Sequence, residues 1–213
     1  MLPNFKKLWK YMEENIFTYD STKTLFNQYR DIESDYDIAN GNEIRKQNLY
    51  NYFSSFNECP KYVMIGEAPG PNGCRFTGVP FTNEKQLLME TILPFKGQKT
   101  SKAIKPYAGT AAKMFWDTLH NYHPKFLAWD CIMYHPRKEN EPLSIRAPRR
   151  REIMEHAPHL KGVLSIMHSI TPIAIGRKAE KAPGYLNIDT TYIRHPSRGG
   201  KKEFQKGIKE IFN

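Results

Sequence analysis

The stretch that decides the fold runs from Tyr62 to Gly70 and reads Tyr-Val-Met-Ile-Gly-Glu-Ala-Pro-Gly. Its first four residues carry no charge and are rich in apolar side chains, which is typical of a strand buried on both faces of a sheet. The glycines and the proline that follow end such a strand and begin a loop. A second β-type run, Leu186 to Ile193, leads in the same way into Arg-His-Pro-Ser at 194–197. We therefore expect both loops to leave one sheet, at the edge where α/β proteins build their sites.

Strand and helix patterns alternate along the rest of the chain. Further strands are predicted at 126–133 and 171–175, and helices at 84–93, 109–122, 149–155, 157–168 and 201–212. Residues 4–56 read as two or three more helices. Strands separated by helices favour a parallel sheet covered on both faces. We therefore expect an α/β fold with three α/β/α layers, a central and mainly parallel four-stranded sheet, and an N-terminal helical extension. The whole of 1–213 is expected to form one domain, with the helices of 1–56 packed on it.

The composition describes a folded, basic protein. A formal net charge of +10 indicates a polyanionic partner, and an aromatic content of 13% is too high for a disordered basic tail. Cys59, Cys74 and Cys131 form no Cys-x-x-Cys pair, so neither a disulfide framework nor a zinc or iron–sulfur site is indicated. No apolar run approaches the roughly 20 residues of a membrane helix. We expect a cytoplasmic monomer that binds neither membrane nor metal and needs no cofactor.

The first loop continues to Thr82, and its glycines and prolines keep the backbone rigid while letting it approach a ligand closely. With the His-Pro-Ser loop, it resembles the outer motifs of the uracil-DNA glycosylase superfamily, whose members cut the N-glycosidic bond of a base flipped out of DNA. The resemblance implies that Phe81 stacks on that base. It also implies a pocket framed by the backbone of Gly66, Ala68, Pro69 and Gly70. An ordinary strand-to-helix connection, with Phe81 in the core, is the alternative.

The resemblance makes His195 the donor of a hydrogen bond to the carbonyl oxygen of the departing base. Cleavage of the glycosidic bond leaves negative charge on the base, and a fixed donor in a dry pocket stabilises that charge as it develops. A structural histidine in a proline turn is the alternative. The resemblance covers the chain from about residue 45 to residue 212.

The middle motif departs from the family pattern at the position that reads the base. Asp130 stands six residues before Pro136, where the family has Asn, whereas Pro136 and the segment Arg-Ala-Pro at 146–148 match. An Asn amide complements uracil, but cytosine presents an amine donor and a bare ring nitrogen. Asp130 can accept from that amine and, if it carries a proton, can satisfy the ring nitrogen. The sequence thus favours a cytosine-type base. The alternative is that Asp130 caps a helix or pairs with a basic residue while the pocket takes uracil.

Gly70 stands where the classical uracil enzymes have an aromatic residue that crowds the C5 edge of the base. A base with a C5 substituent should therefore fit. Hydroxymethylated and glucosylated cytosines occur in some bacteriophage DNAs, so Asp130 and Gly70 together indicate a DNA glycosylase that removes a modified cytosine in host defence and leaves an abasic site. Ordinary uracil-DNA repair and a non-catalytic nucleic-acid-binding module are the alternatives.

The carboxylate that activates water in the classical enzymes is missing from its usual position. Ala68 stands where the classical enzymes have an Asp, so Glu67 or Asp130 would have to orient the water. These two carboxyls and His195 are the candidate catalytic groups. A solvated or capping role is the alternative for Glu67.

Basic residues follow the loops at this sheet edge and predict a rim that binds DNA phosphates. They lie in the loop 96–107, in the segment 146–151 and after His195. The specific candidates are Ser197, Arg198, Lys201, Lys202, Arg146 and Arg149. Arg198 is also the candidate for a wedge that fills the gap left by the flipped nucleotide.

Overall fold

The computed structural model describes residues 1–89 and 92–213. Within them the strands are β1 (Leu25–Phe26), β2 (Tyr62–Gly66), β3 (Phe126–Asp130), β4 (His135–Pro136), β5 (Thr171–Ile175) and β6 (Thr191–Ile193). The helices are α1 (Pro3–Asn15), α2 (Gly41–Ser54), α3 (Cys74–Thr77), α4 (Glu84–Leu88), α5 (Thr110–Leu119), α6 (Arg150–Met167), α7 (Lys181–Tyr185) and α8 (Lys201–Phe212), with a 3₁₀ turn at His120–Tyr122. In this part of the chain no helix is both long and apolar enough to cross a membrane.

Four parallel strands form the central sheet in the order β3-β2-β5-β6. The register pairs Gly66 with Asp130 and Ile175 with Ile193, so all four strands end at the same edge. The loops that follow them therefore leave the sheet side by side, as expected for parallel strands. The predicted α/β class and the four-stranded parallel sheet are confirmed.

Helices cover the sheet and share its core. Helix α6 contacts α1 and α7, while α8 contacts α5 and β6. Buried side chains from Phe5 in α1 to Ile208 in α8 belong to one hydrophobic cluster. The N-terminal helices therefore pack directly on the α/β core as part of the same apolar interior, which is the arrangement expected of a single domain.

Several predicted boundaries are wrong. The helices expected at 149–155 and 157–168 are one helix, which continues through Pro158. A proline has no N–H to donate to the carbonyl four residues before it, here that of Met154. Because Pro158 lies on the exposed face of the helix, water can bond this carbonyl instead. The strand expected at 126–133 stops at Asp130, because its partner strand ends at Gly66. The last strand is confined to Thr191–Ile193, after the short helix α7. The helix expected at 84–93 is seen at Glu84–Leu88, and 90–91 lie outside the described residues.

Candidate active site

Gly66 brings two of the predicted site residues together. It ends β2, opposite Asp130 at the end of β3. A Cβ at Gly66 would overlap Oδ1 of Asp130 and would lie 2.8 Å from Cζ of Phe81. Phe81 is partly exposed and stacks on Phe115 with ring centroids 4.1 Å apart and planes 8° from parallel. The absence of a side chain at Gly66 therefore lets a carboxyl group and an aromatic ring meet at the sheet edge.

Asp130 is a buried carboxyl without an ion pair among the described residues. It is 4% exposed, and its Oδ2 has no hydrogen-bond partner in that part of the chain. Burial raises its pKa to about 8, and the nearby charge of Glu67 adds to the rise. Asp130 therefore keeps its proton at neutral pH. Neither a helix cap nor a basic partner, the two alternative roles for this residue, is found over residues 1–89 and 92–213.

Glu67 lies between the sheet edge and a lysine that the sequence analysis missed. Its Oε1 is 3.4 Å from Nζ of Lys178, which follows β5. Burial raises the pKa of the Glu67 carboxyl, and the charges of Lys178 and Lys181 oppose that rise. Lys178 stands three residues after the end of a predicted strand. This position, close to the sheet edge where the site lies, is the feature of the sequence that could have identified it as a site residue. The pair gives the site a carboxylate held by a cation.

His195 is held in one tautomer by the residue two positions after it. The backbone N–H of Ser197 donates to Nδ1 over 3.2 Å, and Oγ of Ser197 lies 2.7 Å from the same nitrogen. Because a backbone N–H can only donate, Nδ1 is the acceptor, and the proton of the neutral ring is on Nε2. Burial lowers the pKa of His195, with further lowering from Arg194 and Lys178. The ring therefore offers an uncharged N–H donor.

The loop from Ala68 to Gly70 is tied down on one side and open on the other. The carbonyl of Pro69 accepts a hydrogen bond of 2.7 Å from Nδ1 of buried His135, whose pKa burial lowers to about 4. A Cβ at Gly70 would meet no described atom within 4 Å beyond its chain neighbours. Backbone and histidine thus fix the loop and leave space at Gly70.

Some of the residues predicted to contact phosphates are exposed, and others are bonded to neighbouring residues of the protein. Arg198, Lys201 and Lys202 are exposed where the His195 loop enters α8, and Arg149 is exposed at the start of α6. Ser197 is partly buried and bonded to His195.

Arg146 is engaged inside the protein. Its terminal nitrogens donate to the Glu152 carboxylate over 2.6 and 2.8 Å, and its Nε donates to the carbonyl of Arg137 over 2.8 Å. A bidentate pair of this kind fixes a guanidinium group, so Arg146 stabilises the protein interior and is a poor candidate for a DNA contact.

Comparisons with known proteins bear on the family and the fold of the chain. The model of the uracil DNA glycosylase superfamily matches residues 53–211. The crystal structure of wild-type SMUG2 from Pedobacter heparinus superposes with a TM-score of 0.67 over 100% of this chain and 97% of that chain, at 13% sequence identity. At that identity the likeness concerns the fold. No curated protein matches the chain.

Proposed function

Because the chain belongs to the uracil-DNA glycosylase superfamily and is a DNA glycosylase, we propose that the base it removes from DNA is a cytosine with a substituent at C5. The observation that carries this proposal is Asp130, a buried carboxyl with a pKa of about 8 and an oxygen that has no partner among the described residues. The open space at Gly70 supports the C5 substituent.

The proton of Asp130 favours cytosine during bond cleavage more than during binding. A neutral carboxyl can pair with cytosine through its O–H to N3 and its C=O to the exocyclic amine, or with uracil in the reverse sense. When the N1–C1′ bond of cytosine breaks, the Asp130 proton passes to N3 and the base departs without net charge. Uracil already carries a proton on N3, so this transfer to a ring nitrogen is not open to it. General acid assistance of this kind contributes about 10²–10⁴-fold to a rate.

The other residues complete the reaction at the same edge. Phe81 stacks on the flipped base, and Nε2–H of His195 donates to the O2 oxygen that gains charge as the bond breaks. Glu67 orients a water molecule and accepts one of its protons. The oxygen of that water forms the new bond to C1′. The products are the free base and an abasic site.

A modified cytosine also fits the biological setting best. Removal of ordinary cytosine would damage the genome of the cell itself, whereas hydroxymethylated or glucosylated cytosine marks some bacteriophage DNAs. We therefore propose a cytoplasmic role in defence against such DNA. Exposed Arg149, Arg198, Lys201 and Lys202 would contact the phosphates.

The test is to identify the base released from matched DNAs. Duplexes with uracil, cytosine, hydroxymethylcytosine or glucosylated hydroxymethylcytosine at one position are incubated with the protein, and the free base is identified by mass spectrometry. We expect release of the substituted cytosines. Uracil released as readily as any of them would contradict the proposed substrate, and binding with no release of any base would favour a non-catalytic role.

The variant Gly70→Tyr tests the space at C5. Forcing extra atoms into a filled site costs about 1–3 kcal/mol, so release of glucosylated hydroxymethylcytosine should fall about 5- to 150-fold. Release of hydroxymethylcytosine, measured in the same assay, should fall less, because its substituent is much smaller than the glucosylated one and places fewer atoms beside residue 70. An equal loss on both DNAs would mean that residue 70 affects the loop and not the substituent.

The variant Lys178→Ala tests whether Lys178 keeps Glu67 ionised. Removing the cation raises the pKa of Glu67 further, so the acidic limb of the pH–rate profile should move to higher pH. The rate at pH 7 should fall by about tenfold or less, since Lys178 is more than half exposed and its charge is screened. Lys178→Arg should restore the profile. A uniform loss at every pH would contradict this role.

A further inference from the structure

The short helix α3 lies in the middle of the loop from Gly66 to Thr82, which we call the pocket loop. All four of its residues are buried. The backbone N–H of Arg75 in this helix donates to the carbonyl of Gly70 over 3.3 Å. Phe81 follows four residues after the helix ends. A shift of α3 would therefore move both the open side of the pocket at Gly70 and the ring proposed to stack on the base.

A tyrosine from the N-terminal segment supports the turn at the end of α3. Tyr29 is fully buried, and its hydroxyl donates to the carbonyl of Gly78 over 2.7 Å. Burial raises the pKa of this hydroxyl, and the nearby Cys74 and Asp130 raise it further. The hydroxyl is thus close to the carboxyl proposed to read the base as well as to α3. Tyr29 therefore joins the N-terminal segment to the pocket.

A buried ion pair joins α3 to the same segment. Both terminal nitrogens of Arg75 donate to the carboxylate of Asp37, Nη2 over 3.0 Å, and neither side chain is exposed. Arg45 of α2 supplies a second guanidinium group, whose Nη2 lies 3.0 Å from Oδ1 of Asp37. Separating a buried pair leaves an uncompensated charge, which is strongly unfavourable. The pair therefore fixes Arg75, whose backbone N–H holds the carbonyl of Gly70.

Helix α2 adds two contacts at the end of α3. The side-chain amide of Asn48 donates to the carbonyl of Thr77 over 3.0 Å. A Cβ at Gly78 would lie 2.5 Å from the carbonyl oxygen of Arg45, so the backbones of the two segments are in close contact there. Residues 29–48, which supply all these contacts, precede the part of the chain that the superfamily model matches. They hold α3 and the turn that follows it.

We propose that residues 29–48 position the pocket loop for catalysis and that Tyr29 is a positioning residue, supported by the buried pair of Asp37 and Arg75. In this assignment the Tyr29 hydroxyl acts on the base through the backbone of the pocket loop. Catalysis depends on reacting groups that are held in place, and a displacement of about 1 Å can slow a reaction about 10²-fold. The proposal rests on the DNA glycosylase activity but not on which base is removed.

The test compares Tyr29→Phe with a matched control, Tyr134→Phe. Tyr134 is also fully buried, and its hydroxyl donates to a backbone carbonyl, that of Ile16 at the end of α1, over 3.1 Å. Each variant keeps its ring and loses one buried hydrogen bond, so both should lower the melting temperature to a similar extent. The substrate is whichever of the four duplexes releases its base fastest, so the result does not depend on the proposed cytosine specificity.

We expect the single-turnover rate at saturating protein to fall about tenfold for Tyr29→Phe and to stay within about twofold for Tyr134→Phe. The protein concentration that gives half the maximal rate should not change, because both side chains are buried away from DNA. Hydrogen exchange at residues 73–78, measured without DNA, should become faster in Tyr29→Phe only.

Equal rates for the two variants would overturn the assignment, since a merely structural role predicts the same effect for both. Unchanged hydrogen exchange at residues 73–78 in Tyr29→Phe would also overturn it, as would a loss that arises only from weaker DNA binding. Release of uracil in place of a substituted cytosine would instead contradict the proposed substrate and leave this test intact.

Discussion

Replacing His195 with alanine is expected to slow base release by about 10²–10³-fold, the usual cost of losing one fixed donor to a developing negative charge. The neutral ring presents Nε2–H because Ser197 holds Nδ1 as an acceptor. Alanine removes the donor without adding a charge. The rate is measured in single turnover, by counting alkali-labile breaks at the target base.

DNA binding distinguishes a loss of chemistry from a loss of fold. Binding of substrate DNA by His195→Ala should stay close to that of the unaltered protein. His168→Asn is a matched control, because His168 is exposed, precedes β5 at the opposite edge of the sheet, and has a φ of 47° that asparagine tolerates. A His195→Ala protein with an unchanged rate would place leaving-group stabilisation elsewhere.

Replacing Asp130 with asparagine is expected to abolish the preference for cytosine. The amide has the same shape but no proton to give to N3, so release of a substituted cytosine should fall by about 10²-fold or more. Uracil release should change little, because the amide accepts from its N3–H and donates to its O4 carbonyl just as the neutral carboxyl does. Both rates are measured by mass spectrometry on the same four duplexes. A variant that still prefers cytosine would remove Asp130 from base selection.

The same variant should change the pH dependence of the reaction. Because the pKa of Asp130 is about 8, the unaltered protein should lose activity on substituted cytosine as pH rises through about 8 and the carboxyl gives up its proton. The residual activity of Asp130→Asn should not show that fall.

The pH dependence of folding stability gives an independent measure of the raised pKa of Asp130. The folded-state pKa lies above the ordinary value of 3.8, so the folded protein keeps a proton that the unfolded chain loses. The contribution of Asp130 to stability is therefore complete below about pH 4 and is lost as pH rises through about 8. The free energy of unfolding, compared at pH 5 and pH 9, should fall more for the unaltered protein than for Asp130→Asn.

Local sequence was sufficient where an element depends mainly on its own residues. The buried strand at Tyr62–Gly66 and the helix at Lys201–Phe212 follow from runs of apolar residues and from helical spacing. It was insufficient where a distant partner decides the outcome. The two-residue strands β1 and β4 pair across more than 100 positions, and their sequences show no strand pattern.

In the candidate site, too, some residues can be identified from local sequence and others only from the tertiary structure. The motifs identified Asp130 and His195, but only the fold places Lys178 against Glu67 and engages Arg146 with Glu152. A lysine after a strand and an arginine in a basic run have many possible partners in the sequence. Their roles depend on which carboxylate the tertiary structure brings within reach.

The crowding around Gly66 restricts which substitutions this protein can accept during evolution. Any side chain there would collide with both Asp130 and Phe81, so the three positions form one coupled set. A lineage that altered residue 66 first would lose the pocket before a compensating change arose. New base specificity is therefore more accessible through residue 70, where an added Cβ meets no described neighbour, than through the glycine four positions earlier.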